Sequence, residues 1–353
     1  MSVPVVWSPL TRLHEPLEEV WVGRAIPGTE VPERVDRILD ALRDAGHSVR
    51  EAGAHDDALL RRVHDPDLLE FQRTAAERWA AADYEELVGQ TRVTPYLFPT
   101  PAMTGSMPIR AASAVHAEAG RYCYDTCTLL GPGTWEAARA AVDCALTAAE
   151  LVAAGERTAY ALCRPPGHHA TRGGYGGSCY LNNAAVAAEA LRDAGHATVG
   201  VVDLDAHQGN GTAGIFWERG DVSYASVHVD PGAGWFPHVV GYADETGAGE
   251  GEGATLNSPL PEGACDEPWL EAVRRLAGWT ADRGATALVV SLGVDAAAQD
   301  PESPLQVTAD GYREAGRLLG DLRLPAVVVQ EGGYHLDSLG GLVAAYLEGH
   351  AAP

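Results

Sequence analysis

Four short apolar segments, each followed by glycine or proline and then by side chains capable of chemistry, constrain the fold of this chain most. Apolar runs of about four to eight residues, rich in Val and Leu, are typical of buried strands. Ligands bind beyond the carboxyl ends of the strands in parallel α/β sheets. We therefore expect the four polar ends to meet at one edge of one sheet. The four segments are 158–163, 199–202, 285–292 and 326–329.

The segment at 199–202 runs into Asp203-Leu-Asp-Ala-His207. Alternate residues of an extended chain project to the same side, so Asp203, Asp205 and His207 face one way. Ionisable side chains at the end of a buried strand are costly unless they bind something. Carboxylates beside an imidazole suit a divalent metal such as zinc. For this segment alone, a solvated turn after a strand remains the alternative.

The other three segments lead into further imidazole, carboxylate and phenol groups. They continue as Arg164-Pro-Pro-Gly-His-His-Ala170, Gly293-Val-Asp295 and Gln330-Glu-Gly-Gly-Tyr334. The same layout in four places argues against coincidence. Convergence at one sheet edge would bring together His168, His169, Asp205, His207, Asp295 and Tyr334.

The rest of the chain predicts one α/β domain over residues 1–353, because no linker, charge block or repeat divides it. Segments that alternate between strand and helix predict a central, mainly parallel sheet with helices on both faces. Residues 90–133 are the exception to this alternation, because the stretch is rich in proline and has little of the periodicity of a helix or a strand. A long segment of this kind is usually functional.

Composition excludes several classes of partner. The formal net charge is −24 and all 25 basic residues are arginine, with no basic stripe to neutralise phosphates, so we expect no nucleic-acid partner. No apolar run reaches membrane-spanning length, so we expect no membrane partner. An acidic surface attracts cationic substrates, although acidity that serves only solubility remains the alternative. Six scattered cysteines favour reduced thiols in the cytoplasm.

Four motifs resemble the signature segments of the zinc-dependent histone deacetylase superfamily. The resemblance covers nearly the whole chain, in order, and includes early segments such as Pro32-Glu33-Arg34. It implies the arginase–deacetylase fold. The motifs are Arg164-Pro-Pro-Gly-His-His-Ala170, Asp203-Leu-Asp-Ala-His-Gln-Gly-Asn-Gly211, Gly293-Val-Asp295 and Glu331-Gly-Gly-Tyr334.

Within that superfamily the chain is most similar to the bacterial acetylpolyamine amidohydrolases, through Phe98-Pro-Thr-Pro101, Gly131–Trp135 and Gly241–Gly247. This resemblance implies a zinc-dependent amidohydrolase that removes acetyl or short acyl groups from small cationic amines. It also implies a homodimer, with 90–133 as an active-site and dimerisation loop. The nearer alternatives are a protein acetyl-lysine deacetylase and a natural-product or small-metabolite deacetylase.

Two more remote alternatives also remain. Asp205-Ala-His207 resembles the arginase motif of a ureohydrolase with two metal ions. Such a site requires further carboxylates where this chain has Gly209 and Ala297. The last alternative is an inactive binding module, although every catalytic group is present.

The resemblance implies one zinc ion held by Asp205, His207 and Asp295. Three protein ligands leave positions open for water and substrate, which is typical of a catalytic site. Tyr334 is expected to donate its hydroxyl to the developing oxyanion, with glycines 332–333 giving its loop freedom. A monovalent cation, K⁺ or Na⁺, is also implied. Its ligands would be Asp203, Asp205 and Ser226, with the backbone carbonyls of His207 and Val227.

Two histidines are expected beside the attacking water. By the resemblance, Asp203 hydrogen-bonds His168 and Asn210 takes the equivalent place behind His169. A carboxylate raises an imidazole pKa far more than a neutral amide does. We therefore expect His169 to be neutral at pH 7 and to serve as general base and then as acid. His168 would be cationic and act electrostatically.

The resemblance also implies a substrate channel. Ser178 stands where relatives usually place an aromatic wall of the acyl-lysine tunnel, next to Gly177, and Phe236 would form the opposite wall. Serine there predicts a channel that is wider and more polar on one side. Glu118, in the long loop, is a candidate contact for a distal ammonium. Gln208 stands where many relatives have a second histidine, and we expect only an indirect effect.

Overall fold

A single eight-stranded sheet forms the centre of the computed structural model, which describes residues 2–352. The strands within these residues are β1 (Pro4–Trp7), β2 (Glu18–Trp21), β3 (Arg24–Pro27), β4 (Ser48–Glu51), β5 (Thr158–Ala161), β6 (Val199–Asp203), β7 (Val222–Val229), β8 (Thr255–Leu260), β9 (Ala287–Leu292) and β10 (Ala326–Gln330). The central sheet has the order β4-β1-β5-β10-β9-β6-β7-β8. Every strand pairing in it is parallel across the described residues, so the predicted parallel sheet is confirmed.

The four segments singled out in the sequence become four neighbouring strands, β5, β10, β9 and β6, at the middle of this sheet. Their carboxyl ends therefore lie side by side, as the sequence predicted. The edge strand β8 and one hairpin were not predicted. Strands β2 and β3 form an antiparallel hairpin outside the main sheet, and their mixture of charged and apolar residues gives no clear alternation.

Helices cover both faces of the sheet. Alternate residues of β10 show this, because Val327 and Val329 pack into one apolar cluster and Val328 into the other. The helices of the described residues are α1 (Glu33–Asp44), α2 (Ala58–Val63), α3 (Pro66–Ala81), α4 (Tyr84–Val88), α5 (Pro101–Thr104), α6 (Val115–Tyr122), α7 (Thr134–Ala153), α8 (Asn183–Asp193), α9 (Asn210–Ile215), α10 (Asp266–Asp282), α11 (Ala309–Gly320) and α12 (Leu336–His350). The first cluster is completed by α2, α3, α7 and α8, and the second by α1, α10, α11 and α12.

The segment 90–133 is less irregular than its sequence suggests, because it contains the short helices α5 and α6. The two ends of the segment are held together, because the backbone of Val93 pairs with that of Leu130. Apolar side chains remain exposed on its outer part, including Met103, Met107 and Ile109. None of the helices in residues 2–352 is both long and apolar enough to cross a membrane.

Candidate active site

A compact group of acid and imidazole side chains lies beyond the carboxyl ends of β6 and β9. One donor atom from each of Asp205, His207 and Asp295 lies within 4.8 Å of the others. The Nδ1 atom of His207 is 3.3 Å from Asp205 Oδ1 and 3.1 Å from Asp295 Oδ2. The structure thus brings together all three residues that the sequence predicted as zinc ligands.

These three residues fit a zinc ion. Asp205 and Asp295 are buried side by side, and burial followed by repulsion from Asp205 raises the pKa of Asp295 to about 7. Two buried carboxylates in contact are costly unless a cation lies between them. Two carboxylates and one imidazole nitrogen form a donor set suited to zinc. The His207 side chain is 14% exposed, so the group is open to solvent on one side.

Two further histidines lie beside this group with different partners, as predicted. The Nδ1 atom of His168 is 3.1 Å from Asp203 Oδ2, and that of His169 is 2.8 Å from Asn210 Oδ1. Burial lowers the pKa of His168, but the carboxylates of Asp205 and Asp203 outweigh it and raise the pKa to about 10. Burial, followed by repulsion from His168, lowers the pKa of His169 well below its usual value. The pKa values of the two imidazoles are therefore shifted in opposite directions.

The loop that carries Tyr334 is held by a buried arginine that our reading of the sequence missed. Arg34 Nε donates to Gly333 O at 2.7 Å, and Nη2 donates to Glu331 O at 2.6 Å. The same guanidinium lies over the Tyr334 ring, 5.0 Å from its centroid. Asp300 Oδ2 accepts from the Tyr334 N–H at 2.6 Å. Arg34 belongs to the segment Pro32-Glu33-Arg34, which shares the family resemblance. That resemblance was the only feature of the sequence that pointed to this residue.

The two glycines before Tyr334 also have a steric role, which the sequence did not predict. A Cβ at Gly332 would lie 2.6 Å from both Asp205 Oδ2 and Asp295 Oδ2. Gly333 has φ +125°, and a Cβ there would lie 2.6 Å from Val294. Close approach to the metal-site carboxylates, rather than mobility, explains why no larger residue fits.

The side chains predicted for a monovalent cation are also close together. Asp203, the last residue of β6, is in register with Ser226 of β7. Asp203 Oδ2 accepts from the Tyr224 hydroxyl at 3.0 Å, and Ser226 Oγ is 2.8 Å from His228 Nδ1. The cation itself stays a prediction.

Two of the predicted channel residues lie against His169. Its ring is 4.6 Å from that of Phe236, edge to face. A Cβ at Gly177 would lie 2.5 Å from His169 Cδ2 and 2.9 Å from Phe236 Cε1. Ser178 is half-buried with φ +61°, and its N–H donates to Thr128 Oγ1 at 2.8 Å.

The structure counts against Glu118 as a contact for substrate. Its carboxylate lies in α6 and forms an ion pair with Arg78 at 2.5 Å, so its charge is already neutralised. Gln208 is buried, and its Oε1 has no hydrogen-bond partner among the described residues.

Other acidic residues, which the sequence did not single out, lie closer to the channel. Asp125 Oδ2 accepts from the Gly177 N–H at 2.6 Å. Burial, then the charges of Glu302 and Asp125, raise the pKa of Glu19 to about 7. Burial is the larger cause, and the added effect of Glu302 and Asp125 shows that further carboxylates lie near Glu19, because neighbouring carboxylates disfavour the charged form.

The chain is similar to known proteins in both sequence and fold. Residues 28–350 match the histone deacetylase domain. The chain is 41% identical to an acetylpolyamine amidohydrolase from Mycoplana ramosa, over 98% of this chain and 99% of that protein. It is 37% identical to histone deacetylase 8 of Arabidopsis thaliana, over 63% of this chain and 61% of that protein. The crystal structure of an acetylpolyamine aminohydrolase from Burkholderia pseudomallei superposes with a TM-score of 0.93, at 40% identity and 99% coverage of each chain.

The remote alternatives are not supported. Gly209 and Ala297 add no carboxylate for a second metal ion, and a Cβ at Gly209 would overlap the carboxylate of Asp203. The described residues include the three side chains that could hold a metal ion, the pairs His168–Asp203 and His169–Asn210, and Tyr334. A binding module without catalytic activity would not need these groups. The chain belongs to the histone deacetylase family and is a deacetylase.

Proposed function

We propose that this chain is a zinc-dependent amidohydrolase that removes acetyl or short acyl groups from small cationic amines, acetylated polyamines in particular. One observation carries the catalytic part of the proposal. The three residues fit for zinc lie beside one imidazole paired with a carboxylate and another paired with an amide. This arrangement supplies a metal site, a fixed positive charge and a neutral base within one cluster.

Asp205, His207 and Asp295 would hold the zinc ion. Bound there, zinc would act as a Lewis acid on the amide carbonyl and make water more acidic. His169 takes the proton of the attacking water at Nε2, because its Nδ1 is oriented by Asn210. The same nitrogen then returns a proton to the leaving amine. His168, held cationic by Asp203, stabilises negative charge as it develops.

Tyr334 donates its hydroxyl to the carbonyl oxygen as that oxygen becomes negative. A donor fixed in advance is effective because it need not reorganise during the reaction. Arg34 and Asp300 hold the backbone of the tyrosine in place, because Arg34 donates to the carbonyl of Gly333 and Asp300 accepts from the N–H groups of Tyr334 and His335.

We expect Tyr334→Phe to lower kcat by roughly 10²–10³, the usual size for a lost oxyanion donor. Zinc content and melting temperature should stay near those of the parent, because the aromatic ring is kept. Steady-state kinetics with metal analysis measure both. Tyr346→Phe, at a buried tyrosine of α12, is the matched control and should change kcat less than about twofold. Parental kcat in Tyr334→Phe would remove this tyrosine from the mechanism.

Two observations support a small cationic substrate. The similarity to the acetylpolyamine amidohydrolase of Mycoplana ramosa extends over the whole length of both chains, whereas the match to the plant histone deacetylase spans about two thirds. The acidic group that surrounds Glu19 includes Asp125, which binds the channel glycine Gly177. A carboxylate that faces an ammonium group in a partly dry channel attracts it more strongly than in bulk water.

The enzyme should therefore have a higher kcat/KM for acetylputrescine than for an acetyl-lysine peptide. Screening should weaken the preference as salt increases. Above about pH 8, where the Glu19 carboxyl is ionised, Glu19→Gln should lower kcat/KM for acetylputrescine roughly tenfold and leave a neutral acetamide unchanged, whereas Glu118→Gln should have little effect on either. If the peptide is favoured at both low and high salt, a protein or natural-product deacetylase takes the place of this proposal.

We also propose a homodimer that uses the segment 90–133, a bound K⁺ or Na⁺ ion, and a cytoplasmic location. The exposed apolar residues Met103, Met107 and Ile109 support the dimer, since such side chains are often covered by a partner. The register pairing of Asp203 with Ser226 supports the cation site. The cytoplasmic location follows from cysteine usage in the sequence.

A further inference from the structure

A second aromatic ring lies opposite Phe236, and it comes from a part of the chain that the motifs do not cover. The rings of Tyr124 and Phe236 are nearly parallel, at 14°, with centroids 6.5 Å apart. Tyr124 is 38% exposed, whereas His169 beside both rings is buried. The two rings thus lie between solvent and the catalytic imidazole.

The space between these rings is kept clear by two consecutive glycines. A Cβ at Gly176 would overlap the Tyr124 ring, and one at Gly177 would lie 2.9 Å from Phe236 Cε1. Any side chain at either position would displace one of the rings. The glycines therefore form the base of a slot whose sides are Tyr124 and Phe236.

Tyr124 is fixed at both ends, so its position is not that of a mobile surface side chain. Its backbone N–H donates to Tyr175 O at 3.1 Å. Its hydroxyl donates to His169 O at 2.7 Å. The residues that follow bind the slot itself, because Asp125 and Thr128 accept from the N–H groups of Gly177 and Ser178.

We propose that Tyr124 is the second aromatic wall of the substrate channel and takes the place of the wall expected at Ser178. An unbranched alkyl chain between the rings would touch both faces, whereas a branched or cyclic group would force them apart. Tyr124 therefore selects slender amines. This inference rests on the proposed deacetylase function and adds to it a residue that determines specificity.

The test compares two neutral acetamides in the zinc-loaded enzyme, acetylbutylamine as the slender substrate and acetylated cyclohexylmethylamine as the bulky one. Tyr124→Ala should raise KM for the slender substrate and shift the kcat/KM ratio roughly tenfold toward the bulky one, because a ring face is lost. Tyr124→Leu, which keeps apolar volume without a ring, should shift the ratio in the same direction. Tyr124→Phe should leave the ratio within about twofold of the parent.

Tyr96→Ala is the control, at a tyrosine that is 70% exposed in the same proline-rich segment, and it should leave the ratio unchanged. Two results would overturn the inference. The first is that Tyr124→Ala lowers kcat/KM equally for both substrates, and the second is that Tyr124→Phe lowers kcat/KM as much as Tyr124→Ala does. In either case the residue would act only by holding His169. Both substrates are neutral, so a failed preference for cationic amines leaves the result interpretable. A parent enzyme that hydrolyses no acetamide overturns the proposed function and this inference with it.

Discussion

Replacing Asp295 by alanine is expected to abolish both zinc binding and hydrolysis. Asp295 is one of the three residues proposed to hold the ion, and it is buried against the other two. Structural zinc sites bind with about 10–16 kcal/mol shared among their ligands, so the loss of one should weaken binding at least roughly a hundredfold. Activity should fall to background, because the remaining residues can neither polarise the carbonyl nor acidify water to the same extent.

Zinc affinity is measured by competition with a chelator, and kcat/KM by release of acetate at matched zinc concentration. Asp295→Asn serves as the isosteric variant, since it keeps the volume of the buried group while removing its charge. Asp244→Ala, at an exposed loop aspartate, is the control for the effects of losing a carboxylate elsewhere. It should keep the zinc affinity and the kcat/KM of the parent. Zinc bound to Asp295→Ala as tightly as to the parent would show that the ligand set is wrong.

The second large effect is expected from His169→Ala, which should lower kcat by roughly 10²–10⁴, the range for a lost general acid–base group. His169 is the imidazole whose pKa is lowered by burial and by its cationic neighbour His168, so it is the one free to accept a proton at pH 7. His168→Ala should lower kcat by the same factor or less, because that residue acts through its charge. Zinc content should remain near one ion per chain in both variants.

His196→Ala, at a partly exposed histidine that follows α8, is the matched control for a lost imidazole. It should change kcat less than about twofold. Parental kcat in His169→Ala, or a much larger loss in His168→Ala, would reverse the assignment of the two histidines.

The sequence was sufficient for the centre of the molecule because local pattern and chemistry coincide there. Each of β5, β6, β9 and β10 is an apolar run followed directly by residues of the site. One short segment of sequence therefore predicts both a strand and the site residues at its end. The spacing of Asp203, Asp205 and His207 follows directly from extended backbone. The family motifs then fixed which imidazole pairs with which partner.

Residues that act across long distances in the chain could not be predicted in this way. Arg34 binds Gly333 and Glu331, and no local pattern links a helix near the beginning of the chain to a loop near its end. The sequence predicted a missing wall at Ser178, but only the fold shows a tyrosine from another segment opposite Phe236. Glu118 was chosen for its position in the loop, and its ion pair with Arg78 became visible only in the structure.

Helix starts show the same limit at a smaller scale. Thr308 caps α11, since its Oγ1 accepts from the Gly311 N–H at 3.2 Å. Asp266, at the start of α10, also has a side chain suited to capping its own helix, but its carboxylate accepts from the N–H and hydroxyl of Thr308 instead. At the start of α7, Thr134 accepts from the Gly131 N–H, and Gly133 is the capping position. A side-chain oxygen at the right place has several donors within reach, and the fold decides among them.

The position of β10 has a consequence for how the protein is made. This last strand lies between β5 and β9, which are separated from each other by more than a hundred residues of chain. While the chain leaves the ribosome, β5 and β9 each present an unpaired edge until β10 arrives. Contacts this distant in sequence close slowly and leave partly folded forms open to aggregation. The catalytic tyrosine arrives with the same final segment, so an incompletely synthesised chain should be inactive and in need of chaperones.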